Sequence, residues 1–115
     1  MVIQRGDIWW ADLTAPRRSE PGYRRPVLIV SADAFNRSRI NTVVVAVITA
    51  NTTLAQFAGN VPLTKRDSGL PKRSVVNVTQ VMTIDKSFLI EKVHRLSAAK
   101  LAKVEAGMKL VLGFS

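Results

Sequence analysis

The run Asn41-Thr-Val-Val-Val-Ala-Val-Ile-Thr49 limits what this chain can become more than any other stretch. It is the most hydrophobic segment and is built almost wholly from β-branched residues, which lose side-chain freedom in a helix and pack well on a pleated surface. It is also far shorter than the roughly 20 residues that span a bilayer. It therefore predicts a buried central strand. Pro26-Val-Leu-Ile-Val-Ser31 is a second dense run of the same kind, and Pro26 at its start costs no ladder hydrogen bond.

The remaining elements are arranged around these two. Gly6-Asp-Ile-Trp-Trp-Ala-Asp-Leu13 predicts a first strand with Ile8, Trp10 and Asp12 on one side and Trp9, Ala11 and Leu13 on the other, so that the adjacent tryptophans point apart. Their expected work is core or dimer packing. Ser31 to Ser38 reads as a short helical turn or loop, with Asn36 bonding local backbone. Leu54 to Gly59 reads as loop or short helix, and Asn60 to Thr64 as a short edge strand set there by Pro62. Lys65 to Arg73 reads as a basic loop. Ser74 to Val78 predicts a strand that continues, after a bend, through Gln80 to Ile84. Asp85 caps a single turn, and Glu91 to Leu96 is a last short strand. Ser97 then opens a helix with Leu101, Val104, Met108 and Val111 or Leu112 at helical spacing, ending near Gly113. Glu105 and Lys109 are expected to pair across one turn. About six strands and one terminal helix, without strand-helix alternation, predict a mainly β fold: a single domain forming a small, partly open β-barrel with a C-terminal helix.

The surface of such a barrel is strongly basic. Seventeen Lys and Arg against eight Asp and Glu give a net charge of +9, with pI about 10.9. Phosphate backbones are the commonest partner for such a field. The absence of cysteine excludes disulfides, thiolate nucleophiles and sulfur-rich metal sites, and a single histidine with scattered carboxylates gives no expectation of a metal or other cofactor. No apolar stretch suits a membrane and Met1 to Arg5 lacks a signal-peptide pattern, so the expected compartment is the cytoplasm.

One loop concentrates chemistry. Ser19-Glu20-Pro21-Gly22-Tyr23-Arg24-Arg25-Pro26, with Arg17 and Arg18 upstream, places four of the seventeen basic residues beside one carboxylate and an aromatic. A solvated connector explains this as well as a phosphate site does. Arg25 differs from its neighbours because a strand start can aim it. Thr49 sits at the exit of the central strand, where a hydroxyl either caps the strand end or serves a site. His94 reads as structural. Ser97-Ala-Ala-Lys100 matches a Ser-x-x-Lys pattern, but an N-cap explains Ser97.

The combination of Arg5-Gly-Asp-Ile-Trp-Trp-Ala-Asp-Leu13, Ser19-Glu20 and Gly22, Arg25-Pro-Val-Leu-Ile-Val30, Ala46-Val-Ile-Thr49, Arg73-Ser-Val75 and Gln80-Val-Met-Thr-Ile-Asp-Lys86 closely resembles the MazF/PemK/Kid family of toxin ribonucleases. The resemblance implies an SH3-like barrel, a homodimer, and a toxin of a type II toxin-antitoxin system. That toxin would be a metal-independent endoribonuclease cutting single-stranded RNA, with mRNA, rRNA and tRNA all open as targets. It also implies an acidic, MazE-like antitoxin whose flexible tail occupies the RNA groove. Carried over by motif, Arg25 and Thr49 are catalytic, Ser19 and Glu20 lie beside the scissile phosphate, and Ser74 and Gln80 line the RNA path. Arg73 is expected to bind substrate only, since no acidic residue follows it as in Kid-like members. Arg17, Arg18, Tyr23 and Arg24 complete the expected RNA-binding set. Two rivals share the architecture: a non-enzymatic, CcdB-like gyrase-binding toxin and a basic SH3-like RNA-binding module.

Cleavage without a metal turns the RNA's own 2′-hydroxyl onto phosphorus. One group must take its proton, another must hold the charge growing on the phosphoryl oxygens, and the leaving 5′-oxygen must be protonated. A planar, permanently charged guanidinium suits the second task, which points to Arg25. With a pKa above about 12, a guanidinium is a poor base at neutral pH. Glu20 is the more natural proton acceptor, although a positive field works against its basicity.

Overall fold

The computed structural model describes residues 2–13 and 23–114. The strands are β1 (Asp7–Asp12), β2 (Arg24–Ile29), β3 (Thr42–Thr49), β4 (Val61–Leu63), β5 (Ser74–Asp85) and β6 (Leu89–Arg95). They form one curled antiparallel sheet in the order β4-β5-β3-β2-β1-β6. The helices are α1 (Asp33–Arg37), α2 (Lys65–Ser68) and α3 (Ala98–Leu112), with 3-10 turns at Thr52–Gln56 and Lys86–Phe88. The expected six strands and terminal helix are thus present, and β3 lies inside the sheet between β5 and β2.

Strand alternation gives the sheet two packed faces. Ile8, Leu28, Ala46, Ile48, Val76 and Val78 form one core, on which Leu101, Val104 and Met108 of α3 pack together with Trp10. Trp9, Ala11, Val27, Ile29, Val43, Val45 and Ile84 form the other, flanked by Leu13 and Phe88. The two tryptophans therefore point apart: Trp9 is buried and Trp10 half-buried. Pro62 sits in the edge strand β4, where a missing N–H is harmless. Pro26 is tolerated in the inner strand β2 because the β2–β3 ladder runs only from Val27–Val47 to Ile29–Val45.

Three sequence expectations change. Lys65–Ser68 is a helical turn rather than a basic loop, capped at both ends. The Thr64 hydroxyl accepts from the Asp67 N–H, Asp67 accepts from the Thr64 N–H, and Gly69 closes the turn in the left-handed region. Glu105 does not pair with Lys109; it reaches Arg5 at 2.5 Å, tying α3 to the N-terminal segment. Val111 and Leu112, placed on the packed stripe by spacing, are exposed beyond the last core contact of α3. Elsewhere the local chemistry agrees with the residues. The Ser97 hydroxyl accepts from the Lys100 N–H as an N-cap, and Asp85 accepts from the Ser87 N–H.

The buried Asp7 carboxylate fastens the sheet's other end. It accepts from the Gln4 N–H at 2.9 Å and meets Lys92 and Arg95 of β6, each at 3.3 Å. Among the described residues no helix is long and apolar enough to cross a membrane.

Candidate active site

The β2–β3 ladder stops at Val27–Val47, yet both strands run on, and the same register carried two residues further sets Arg25 across from Thr49. On either side, Ala11 pairs with Arg25 and Thr49 with Val75, so one row crosses β1, β2, β3 and β5. Where the ladder ends, a cleft of about 390 Å³ opens, and Arg25 and Thr49 both line it. Trp10, Ile48, Leu70 and Pro71 supply apolar wall, while Asn51, Lys72 and Ser74 add polar groups. The described lining contains two cations and neither a carboxylate nor a histidine.

Arg25 is held, not loose. Its Nη1 donates to the Tyr23 hydroxyl at 2.6 Å, and its guanidinium carbon lies 5.4 Å from the centre of the same ring. The Leu13 N–H donates to the Tyr23 carbonyl at 2.9 Å, which clamps the bases of the segment joining β1 and β2. Tyr23 is itself 54% exposed, so its ring faces solvent beside the cleft. Arg24 is exposed and borders a second small hollow with Trp10 and Glu91.

Thr49 both caps and offers. Its oxygen accepts from the Asn51 N–H at 3.1 Å, so the strand-end reading holds. The hydroxyl proton is not used in that bond and can be donated into the cleft. Asn51 in turn accepts from the N–H and hydroxyl of Thr53, fixing the turn that follows. Ser74 is buried and donates to the Lys72 carbonyl at 2.9 Å, so the backbone that carries Lys72 is fixed from within.

The other expected site residues are dispersed. Arg73 lines a neighbouring cleft that also includes Ser74. Gln80 lines neither cleft and sits within the register shift of β5, between Asn77 and Val81. There the Asn77 side-chain oxygen accepts from both the N–H and the hydroxyl of Thr79, leaving its amide to donate to Gln80 Oε1 at 3.2 Å. Arg17, Arg18, Ser19 and Glu20 lie outside the described residues. Two cleft residues and one partner of Gln80 escaped the sequence reading. Lys72 was hidden in a basic run, Trp10 was assigned to packing, and Asn77 breaks a strand of valines. That last break in apolar alternation was a readable signal.

Comparison with known proteins places this architecture. Residues 4–112 match the family described as PemK-like, MazF-like toxin of type II toxin-antitoxin system. The chain is 46% identical over 112 residues to the endoribonuclease MazF2 of Mycobacterium bovis, covering 97% of this chain and 98% of that protein. A crystal structure of MazE-MazF from Deinococcus radiodurans superposes with a TM-score of 0.81 at 24% identity, covering 100% of this chain and 99% of that one. A mycobacterial endoribonuclease in complex with its cognate antitoxin gives 0.75 at 24% identity, over 99% and 96% of the two chains.

Proposed function

This chain belongs to the PemK-like, MazF-like family and is an endoribonuclease toxin of a type II toxin-antitoxin system; we propose that it cuts single-stranded RNA without a metal, through the 2′-hydroxyl. The observation that carries the chemistry is the meeting of Arg25 and Thr49 at one cleft. In this reaction the 2′-oxygen bonds to phosphorus, the bond from phosphorus to the 5′-oxygen breaks, and the products are a 2′,3′-cyclic phosphate and a 5′-hydroxyl. Arg25 holds the developing charge on the phosphoryl oxygens in a bidentate manner. Thr49 donates its hydroxyl proton to the same oxygens as a hydrogen bond. Glu20 takes the 2′-hydroxyl proton, and the leaving 5′-oxygen takes up a proton from solvent water. Ser19, Arg17, Arg18, Tyr23, Arg24, Ser74 and Gln80 bind the RNA, and an exposed tyrosine ring beside the cleft suits a splayed base.

The partner of such a toxin is its antitoxin, and the +9 charge supports an acidic, MazE-like chain competing with RNA. A homodimer is supported by the exposed apolar side chains at and just beyond the end of α3, Leu110, Leu112 and Phe114. Light scattering of the isolated toxin tests the dimer.

The decisive experiment incubates the purified protein with mixed RNA in EDTA and sequences the fragment ends. Expected are 5′-hydroxyl and cyclic phosphate ends at short unpaired sites. Intact RNA accompanied by inhibited gyrase supercoiling would overturn the reading, as would cleavage that returns only with magnesium.

A further inference from the structure

The cleft next to the Arg25–Thr49 site is the larger of the two, about 440 Å³. It lies between the 3-10 turn at Thr52–Gln56, the edge strand β4, the start of β5 and the first turn of α3. Its wall includes Ala55, Pro62, Leu63 and Val75, and its charged groups are Arg73, Asp67 and Lys100. Asp67 and Lys100 face each other at 3.7 Å, and Asp67 is further occupied by the Thr64 N–H at 2.8 Å. Their charges offset one another. Arg73 is different: it is exposed, and among the described residues its side chain has no hydrogen bond or ion pair. Among the described residues, the net electrostatic offer of this cleft is therefore one unpaired guanidinium beside an apolar wall.

The two clefts share Ser74 and are flanked by one continuous turn, Ala50 and Asn51 bordering the first and Thr52 and Ala55 the second. Consecutive residues serve them as well, with Lys72 on the Arg25–Thr49 side and Arg73 on the other. Lys72 likewise has no side-chain partner among the described residues. Consecutive cations, Lys72 at one cleft and Arg73 at the next, each without a side-chain partner among the described residues, match a ligand that carries a negative charge at each repeat. Apolar lining beside Arg73, supplied by Ala55 and Pro62, matches a ligand that carries a ring at each repeat. Single-stranded RNA has both.

We propose that the second cleft is a nucleotide subsite of the RNA, seating a neighbour of the cleaved nucleotide with its base on the Ala55–Pro62 wall and its phosphate on Arg73. Lys72 takes the phosphate on the Arg25–Thr49 side. This assignment rests on the ribonuclease reading above and gives that site its minimum substrate length.

Subsite mapping tests it. An oligonucleotide that the wild type cleaves is trimmed one nucleotide at a time from each end, and kcat/KM is measured for each length. One trimming step is expected to cost about tenfold, the loss of one charge-assisted contact. Arg73→Ala should lose about tenfold on the untrimmed RNA and nothing on the RNA already lacking that nucleotide. Its binding should also show a salt slope smaller by about 0.7, one phosphate contact on a single strand. Ala55→Trp, which fills the cleft, should give the same length-selective loss. Equal losses on both lengths would overturn the subsite by making Arg73 a participant in the chemistry or in folding. Unchanged cleavage with weakened antitoxin binding would overturn it by giving the cleft to a protein partner. A wild type that cuts no RNA at any length would instead overturn the ribonuclease reading from which the subsite is built.

Discussion

Arg25 and Tyr23 meet twice, through a hydrogen bond of 2.6 Å from Nη1 to the phenol oxygen and through a guanidinium carbon 5.4 Å from the ring centre. An arginine on a two-residue-distant tyrosine is held by backbone as well as by contact, because both sit at the clamped entry to β2. Tyr23→Phe keeps the ring and deletes the hydroxyl. One neutral-to-charged hydrogen bond is worth about 1.5 kcal/mol, so kcat should fall about tenfold while the fold and the melting temperature stay unchanged. A variant with unaltered kcat would show that the tyrosine does not orient the arginine.

Arg25 and Thr49 themselves should separate by kinetics. Arg25→Ala is expected to abolish cleavage while RNA binding weakens by only about 1–3 kcal/mol, read by fluorescence anisotropy. Arg25→Lys should not rescue, since a point charge does not replace a fork. Thr49→Ala should lower kcat with little change in KM, the mark of a contact made in the transition state. Thr49→Ser keeps the donor and the bond from Asn51 and should retain most activity.

Much of this site was readable from residue order, and the parts that were not have physical causes. The β-branched runs from Val43 to Ile48 and Val27 to Ile29 announced the strands because burial on both faces demands that composition. Arg25 and Thr49 stood at strand ends, but charge and spacing gave them only a polyanion-binding role; the family likeness supplied the reaction. Lys65–Ser68 looked like a loop because one turn is too short for periodicity. Its capping box, Thr64 with Asp67, was nonetheless visible as a Thr-x-x-Asp pattern. The Arg5–Glu105 pair could not be seen, since local spacing favours Lys109 and only tertiary packing brings Arg5 across.

Asn77 sets the polarity of Gln80. Because its oxygen is committed to Thr79, its amide must donate, and Gln80 must then present its own amide outward. An outward amide favours an acceptor on the RNA. Asn77→Asp removes the donor and turns the Gln80 amide inward, leaving the glutamine oxygen to face the substrate. The expected result is a changed base preference at one position of the cleavage sequence, measured by sequencing fragment ends, with kcat on the best substrate within about tenfold of wild type. Unchanged preference would free Gln80 from sequence reading.

Acid should reveal the cap of α2. The Thr64 N–H, then the Thr64 hydroxyl network and Lys100, hold the Asp67 carboxyl below its ordinary value of 3.8. A carboxylate with a depressed folded-state pKa contributes stability above the unfolded value and loses it as pH falls through the folded one. Wild-type stability should therefore decline below about pH 4 more steeply than that of Asp67→Asn, which cannot titrate. Parallel acid limbs in denaturant melts would argue against the cap.

Gly107 offers a test in which a general rule should reverse. Replacing a glycine by alanine inside a helix normally stabilises by about 1 kcal/mol. At this position a Cβ would lie 2.0 Å from the Gly59 carbonyl oxygen, which is backbone and cannot swing aside. Overpacking of that kind costs about 1–3 kcal/mol, so it outweighs the helix gain and Gly107→Ala should destabilise. The loop that α3 presses on does more than turn. Asn60, next to Gly59, accepts from the Val78 N–H and donates to the Leu54 carbonyl, bracing the 3-10 turn whose Thr52 and Ala55 border the second cleft. Pushing Gly59 away should carry that turn with it, raising KM for long RNA more than for RNA trimmed to the first cleft. A lowered melting temperature with identical KM on both lengths would confine the close approach of Gly59 and Gly107 to stability.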